Sequence, residues 1–279
     1  MKKPTGENLR ASSMKPPQDI VQDEGGDVLE KIRGREKESL KTFFGEDIIV
    51  PPLPNGITLE KYEKWKTIGF ELHYLPPKYM TEKKDYPGWK EKPISTINLF
   101  KEFRNKDSKL ASDTLNLPGS WVLVDTREKP KYYKNKSAAY ANQMYANDPF
   151  KDAVEELRSQ GVIKTSTYFA GVETGSRFTI SWDELHKPEV KAKFAEILEV
   201  TADNLRLPRA IEWNFIGNAH YQKWGEELTW EWLEDIFYDS MPLIGGGYPS
   251  QGLSCVNFSD SVYRRFDNGV FRLIVVFPS

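Results

Sequence analysis

Cys255 is the chain's sole thiol, so neither an intrachain disulfide nor a cysteine-rich metal site can form. A linear Cu(I) centre needs two soft thiolates, and one does not supply it. Three imidazoles are available, His73, His186 and His220, and no pair stands at a ligand spacing such as H-x-x-x-H. On that ground no transition-metal site and no cofactor are expected. No His lies in a recognisable nucleophile motif either, so Ser-His-Asp chemistry finds no assignment. The carboxylates Glu231, Glu234 and Asp235 crowd one stretch, but their spacing reads as surface or capping groups rather than an acid–base pair. Calcium, held by oxygen ligands alone, leaves no such signature. Catalysis is therefore not expected, and recognition becomes the class of function to look for.

A chain of 279 residues with eight Trp, thirteen Tyr and fifteen Phe can build a substantial core, which excludes a wholly disordered protein. Its 39 basic and 41 acidic residues leave a net charge of −2, so electrostatics offers no reason to expect nucleic acid as a partner. Met1-Lys2-Lys3-Pro4 leads into polar residues rather than an apolar run. With no leader and no membrane span visible, the default placement is cytoplasmic.

The elements that would hold a binding surface follow from periodicity. Residues 1–54 read as a flexible polar tail and a Pro-rich connector, with one short amphipathic helix possible over Asp27 to Phe44. Helix is expected from Leu59 to Phe70 and from Ser95 to Phe103, the latter capped by Ser95. Between them, Tyr74 to Trp89 reads as a loop pinned by aromatic packing. Ser120 to Asp125 and Arg177 to Trp182 read as strands. Pro149 to Ser159 and Pro188 to Val200 read as helices, with Ala153, Val154, Leu157, Val190, Phe194 and Ile197 inward. Phe271 to Phe277 is a near-continuous apolar run, expected to be one central strand.

Three stretches then occur in a fixed order. The first is Arg206-Leu207-Pro208-Arg209-Ala210-Ile211-Glu212-Trp213, with Pro208 suited to the first turn of a helix. The second is Thr229-Trp230-Glu231-Trp232-Leu233-Glu234-Asp235. The third is Gly245-Gly246-Gly247-Tyr248, followed by Phe271-Arg272-Leu273. Together they resemble the R-L-P-T-E-A-E-W, G-N-V-W-E-W-x-x-D, G-G-S-W and G-F-R-V segments of formylglycine-generating enzymes. Val270 stands where that family has Gly, and Thr229 where it has Asn-Val. The resemblance implies an α+β C-type-lectin-like fold of the formylglycine-generating-enzyme type over about residues 55–279, mostly irregular with short strands and a few helices. It does not carry the enzyme's activity across, because that family oxidises a substrate cysteine with a pair of cysteines and this chain has Cys255 alone.

The short interval between Trp232 and Phe271 resembles instead the variable proteins of diversity-generating retroelements, which share this fold. In that family adenine-specific mutagenesis rewrites the segment after Gly-Gly. Asparagine codons then yield products that include Tyr, Ser, Asp, Phe, Val, Arg, Cys, Gly and Asn, but never Lys, Glu, Met or Trp. Here neither Lys nor Glu occurs after Glu234, and neither Met nor Trp after Met241. The resemblance implies a variable ligand-binding segment over about 247–268. Its contacts would be Tyr248, Ser250, Cys255, Asn257, Ser259, Asp260, Val262, Tyr263, Arg265, Phe266 and Asp267. Gly245, Gly246, Gly252, Leu253, Val256, Phe258, Ser261 and Arg264 would be fixed anchors. The expected partner is a macromolecular ligand, a protein, since Tyr, Ser and Asn are residues that paratopes use. The competing expectations are a non-canonical enzyme of the formylglycine-generating family and a structural or assembly module.

Overall fold

The computed structural model describes residues 24–128, 148–165 and 172–278. Its first element corrects the reading of the N-terminal region. A 21-residue helix, α1 (Glu24–Phe44), places Ile32, Glu36, Leu40, Phe43 and Phe44 on one buried stripe at helical spacing. It packs on the helix α2 (Leu59–Thr67), the strand β1 (Phe70–Leu75) and a later helix, α7 (Ala210–Ala219). Residues 28–44 therefore belong to the core rather than to a flexible tail, while residues 1–23 lie outside the described residues. Polar composition hid this, because a helix needs only one apolar side in three or four to dock.

Two sheets carry the rest. The first is antiparallel, in the order β1, β3 (Ser120–Asp125), β9 (Ile274–Val276), β4 (Leu205–Arg206). β3 is buried along its whole length, as its unbroken apolar run requires. The second sheet is mixed, in the order β2 (Ser95–Thr96), β7 (Cys255–Phe258), β6 (Met241–Gly246), β5 (Trp230–Phe237), β8 (Gly269–Phe271). Its outer pairs, β2–β7 and β5–β8, are parallel and the inner ones antiparallel. The result is an α+β architecture of short strands with modest helical content.

Other expectations change in detail. Ser95 begins β2, and the helix α3 (Leu99–Arg104) is capped by Asn98, whose side chain accepts from Lys101 N at 2.9 Å. Tyr74 lies in β1, and Phe70 starts that strand instead of ending α2. Arg177 to Trp182 is not a strand: it is turns leading into α5 (Trp182–Leu185), because Thr179 takes a positive φ and Ser181 caps the helix. α4 (Lys151–Ser159) and α6 (Pro188–Leu198) form as read. Pro208 precedes α7 by two residues, so it ends the extended β4 segment rather than occupying the first helical turn.

The C-terminal run is not one strand. β8 pairs with β5 in the second sheet and β9 lies between β3 and β4 in the first, with Arg272 and Leu273 between them. The reason is the fully buried guanidinium of Arg272. It takes both Glu231 oxygens, at 2.9 and 2.7 Å, bonds the carbonyls of Asp125 and Arg127, and covers the Trp224 ring. Glu231 also accepts from Trp213 Nε1 at 3.0 Å, so it is a buried counter-ion and not a surface group. Asp235 is likewise buried, and accepts from Ala210 N at the start of α7 at 2.6 Å, a capping role supplied from another strand.

Candidate functional site

β6 ends at Gly246 and Gly247 follows it, both at positive φ. A Cβ on Gly247 would overlap the Trp230 ring, so this close approach excludes any side chain there. The chain emerges at Tyr248, 45 % exposed, whose ring meets Trp230 edge-on at 5.1 Å. Pro249 and Ser250 are exposed and the turn closes with Gln251 N donating to Tyr248 O at 2.9 Å. Leu253 then plugs the core: its N–H donates to Glu91, and its carbonyl accepts from Asn214 Nδ2 at 2.8 Å.

β7 crosses from that end of the sheet to the other, and its strand pairing decides which side chains face inward. Cys255 and Val256 are both 0 % exposed, whereas Asn257 is half-buried and Phe258 is 38 % exposed. Ser259 is 1 % exposed, its N–H donating to Pro242 O at 2.8 Å and its hydroxyl to Ser261 O at 3.0 Å. Two proposed contacts are thus corrected. Cys255 and Ser259 are scaffold, the first because its side chain lies within the hydrophobic core, the second because its hydroxyl builds the turn. Phe258 and Arg264, taken as anchors, lie at the surface.

Residues 260–268 return without regular structure toward β8. Asp260, Tyr263 and Arg264 are exposed, Tyr263 at 66 %, while Val262, Arg265, Phe266 and Asp267 are half-buried. Val262 O accepts from Asp183 N at 3.0 Å, and Arg265 donates to the buried Glu184 at 2.6 Å. Burial would raise the Glu184 carboxyl, but Arg265 and the N–H groups of Lys164 and Ser181 reverse this and hold it below the usual range. Phe266 lies against Trp232 with ring centroids 5.2 Å apart. Asn268 O accepts from Trp230 N at 2.8 Å, so this loop returns to the end of β5 where Tyr248 packs. The two loops, 247–254 and 259–268, are in effect exposed polypeptide strung between buried anchors.

The structure also brings together residues whose spacing offers no reason to join them. His73 on β1, Glu36 on α1 and His220 at the end of α7 converge, their candidate ligand atoms all within 4.8 Å of one another. His73 Nδ1 is 3.1 Å from Glu36 Oε1 and its Nε2 is 2.8 Å from the Tyr221 hydroxyl. The His73 and His220 rings are 4.1 Å apart. Burial alone would raise the Glu36 carboxyl; the His73 ring, His220 and the Tyr74 amide reverse this and hold it down to about 2. Burial and then the adjacent His73 ring push His220 down to about 3. Absence of H-x-x-x-H spacing therefore excluded only a site on one helix. His186, in contrast, stands apart, stacked on Trp182 and bonded to Glu234 at 3.1 Å.

Among the described residues, no helix is long and apolar enough to cross a membrane. No family model, no curated protein and no solved structure matches the chain.

Proposed function

We propose that this chain is a ligand-binding protein of the retroelement-diversified, C-type-lectin-like kind, recognising a protein through loops 247–254 and 259–268. The observation that carries the reading is a separation of roles within one segment. Tyr248, Ser250, Asp260 and Tyr263 are exposed, whereas Leu253, Cys255, Val256 and Ser259 are buried beside them. The surface residues belong to the set that adenine mutagenesis of asparagine codons can produce, and Lys, Glu, Met and Trp are missing from the whole segment. A surface so built tolerates side-chain change, because exposed substitutions away from special contacts usually alter stability by less than about 0.5 kcal/mol. Tyr supplies large contact area at small entropic cost, and Ser and Asn supply adaptable hydrogen bonds.

A library tests this directly. Tyr248, Ser250, Asn257, Asp260, Val262, Tyr263 and Asp267 are randomised while Cys255, Ser259 and Arg265 are kept. Most members are expected to stay folded and to select different protein ligands. If most aggregate, the segment is core; if all select the same ligand, recognition lies on another surface. In the coding DNA, the reading expects a near-repeat of the 3′ region beside a reverse-transcriptase gene.

A further inference from the structure

We infer that Glu36, His73 and His220 form a binding site for a divalent transition-metal ion of the zinc class. The three side chains come from three separate elements, α1, β1 and the end of α7, and offer two imidazole nitrogens and one carboxylate. That donor set suits zinc and its neighbours, whereas magnesium and calcium favour oxygen alone. Tetrahedral bonds of about 2.0–2.1 Å place ligand atoms roughly 3.3 Å apart. Glu36 Oε1 and His73 Nδ1, at 3.1 Å, already span one such edge. His220 Nε2 lies 3.9 Å from the other carboxylate oxygen, Glu36 Oε2, too far for a hydrogen bond, and so faces the carboxylate without being bonded to it.

The groups behind these atoms are arranged as an outer shell. With His73 ligating through Nδ1, its Nε2–H donates to the Tyr221 hydroxyl at 2.8 Å. With His220 ligating through Nε2, its Nδ1 faces the Ser39 hydroxyl at 3.5 Å. Glu36 Oε2 accepts from Tyr74 N at 3.1 Å. Each ligand is thus oriented by a partner on its other polar atom, the pattern that fixes tautomer and ring direction in metal sites. Arg35 Nε, 3.4 Å from Glu36, adds an opposing charge, which Glu71 offsets at 3.1 Å from Arg35 Nη1. A cleft of about 450 Å³, lined by Thr126, Asn218, His220, Tyr221 and Trp224, opens at the His220 corner, with Glu36 and His73 buried behind it.

The test uses the full chain, tag removed and stripped with chelator, titrated with ZnCl2 by calorimetry. One equivalent is expected to bind, with Mg²⁺ and Ca²⁺ failing to compete. His220→Asn, at the partly exposed corner, is expected to lose at least tenfold in affinity while keeping the native circular dichroism. Should that variant fail to fold, imidazole resonances of the native chain decide: those of His73 and His220 shift on adding Zn²⁺ and that of His186 does not. Zinc binding unaltered by His220→Asn, or zinc that leaves the His73 and His220 resonances unmoved, overturns the assignment.

Discussion

Arg177 shows how much of this protein rests on single buried charges. Its guanidinium takes Asp148 at 2.7 and 2.8 Å and Asp125 at 2.8 Å, and lies between the rings of Phe150 and Phe271. Burial would raise the Asp125 carboxyl, but Arg177, Arg127 and Arg272 outweigh it and hold the group well below the usual carboxylate range. A carboxyl depressed on folding contributes stability that is complete above its unfolded value and is lost as pH falls below it. Asp125→Asn is therefore expected to destabilise by about 3–5 kcal/mol at pH 7, since it leaves buried guanidinium charge undercompensated. The gap between native and variant should narrow as pH drops below roughly 4, the unfolded aspartate range. Chemical denaturation across that interval reads it, and a gap constant down to the lowest measurable pH would refute the ionised role of Asp125.

α1 shows the same dependence one level up. Phe43 and Phe44 pack on Phe215 of α7, with centroids 4.7 and 5.6 Å away, and Gly88 approaches so closely that a Cβ there would strike the Phe43 backbone. Such a helix is not stable by itself, since nucleation is costly and its apolar stripe needs a partner. Docked, it closes one side of the core, and it carries Glu36 into contact with His73. Leu40, with no exposed surface, is the clean probe. Leu40→Ala is expected to cost about 2–5 kcal/mol in urea titration. A loss under about 0.5 kcal/mol would return α1 to the status of an undocked tail.

Both sheets, α1 and the helices between them contribute to one continuous hydrophobic core. The chain passes from β8 in one sheet to β9 in the other within three residues, and Arg272 ties that crossing to Glu231. Loops 247–254 and 259–268 hang from the second sheet, while the Glu36, His73 and His220 cluster sits against the first through His73. A molecule tied in this way should not lose one sheet and keep the other. Far-ultraviolet circular dichroism and tryptophan fluorescence are expected to report the same unfolding midpoint. Two separated midpoints would show that the sheets are independent units and that changes in the loops need not be felt in the rest.

Local order was readable wherever a residue's neighbours in sequence decide its state. Apolar spacing, with Gly161 closing α4 and Pro188 opening α6, suffices for those helices, and an unbroken run of apolar residues for β3, because burial on a helix or strand repeats over a few residues. The Trp-Glu-Trp stretch and the paired glycines were likewise visible as chemistry that demands a packed surrounding. The inward and outward sides of 255–264 were not, because β7 leaves Cys255 and Val256 buried in succession, against the alternation that a strand ordinarily shows. The split between β8 and β9 was hidden for a related reason: an apolar run does not say that Arg272 within it will find Glu231. Nor could spacing join His73, His220 and Glu36, since their meeting is fixed by how α1, β1 and α7 pack. Periodicity is a property of consecutive residues, whereas charge pairing and ligand geometry belong to surfaces that exist only once distant segments have closed on one another.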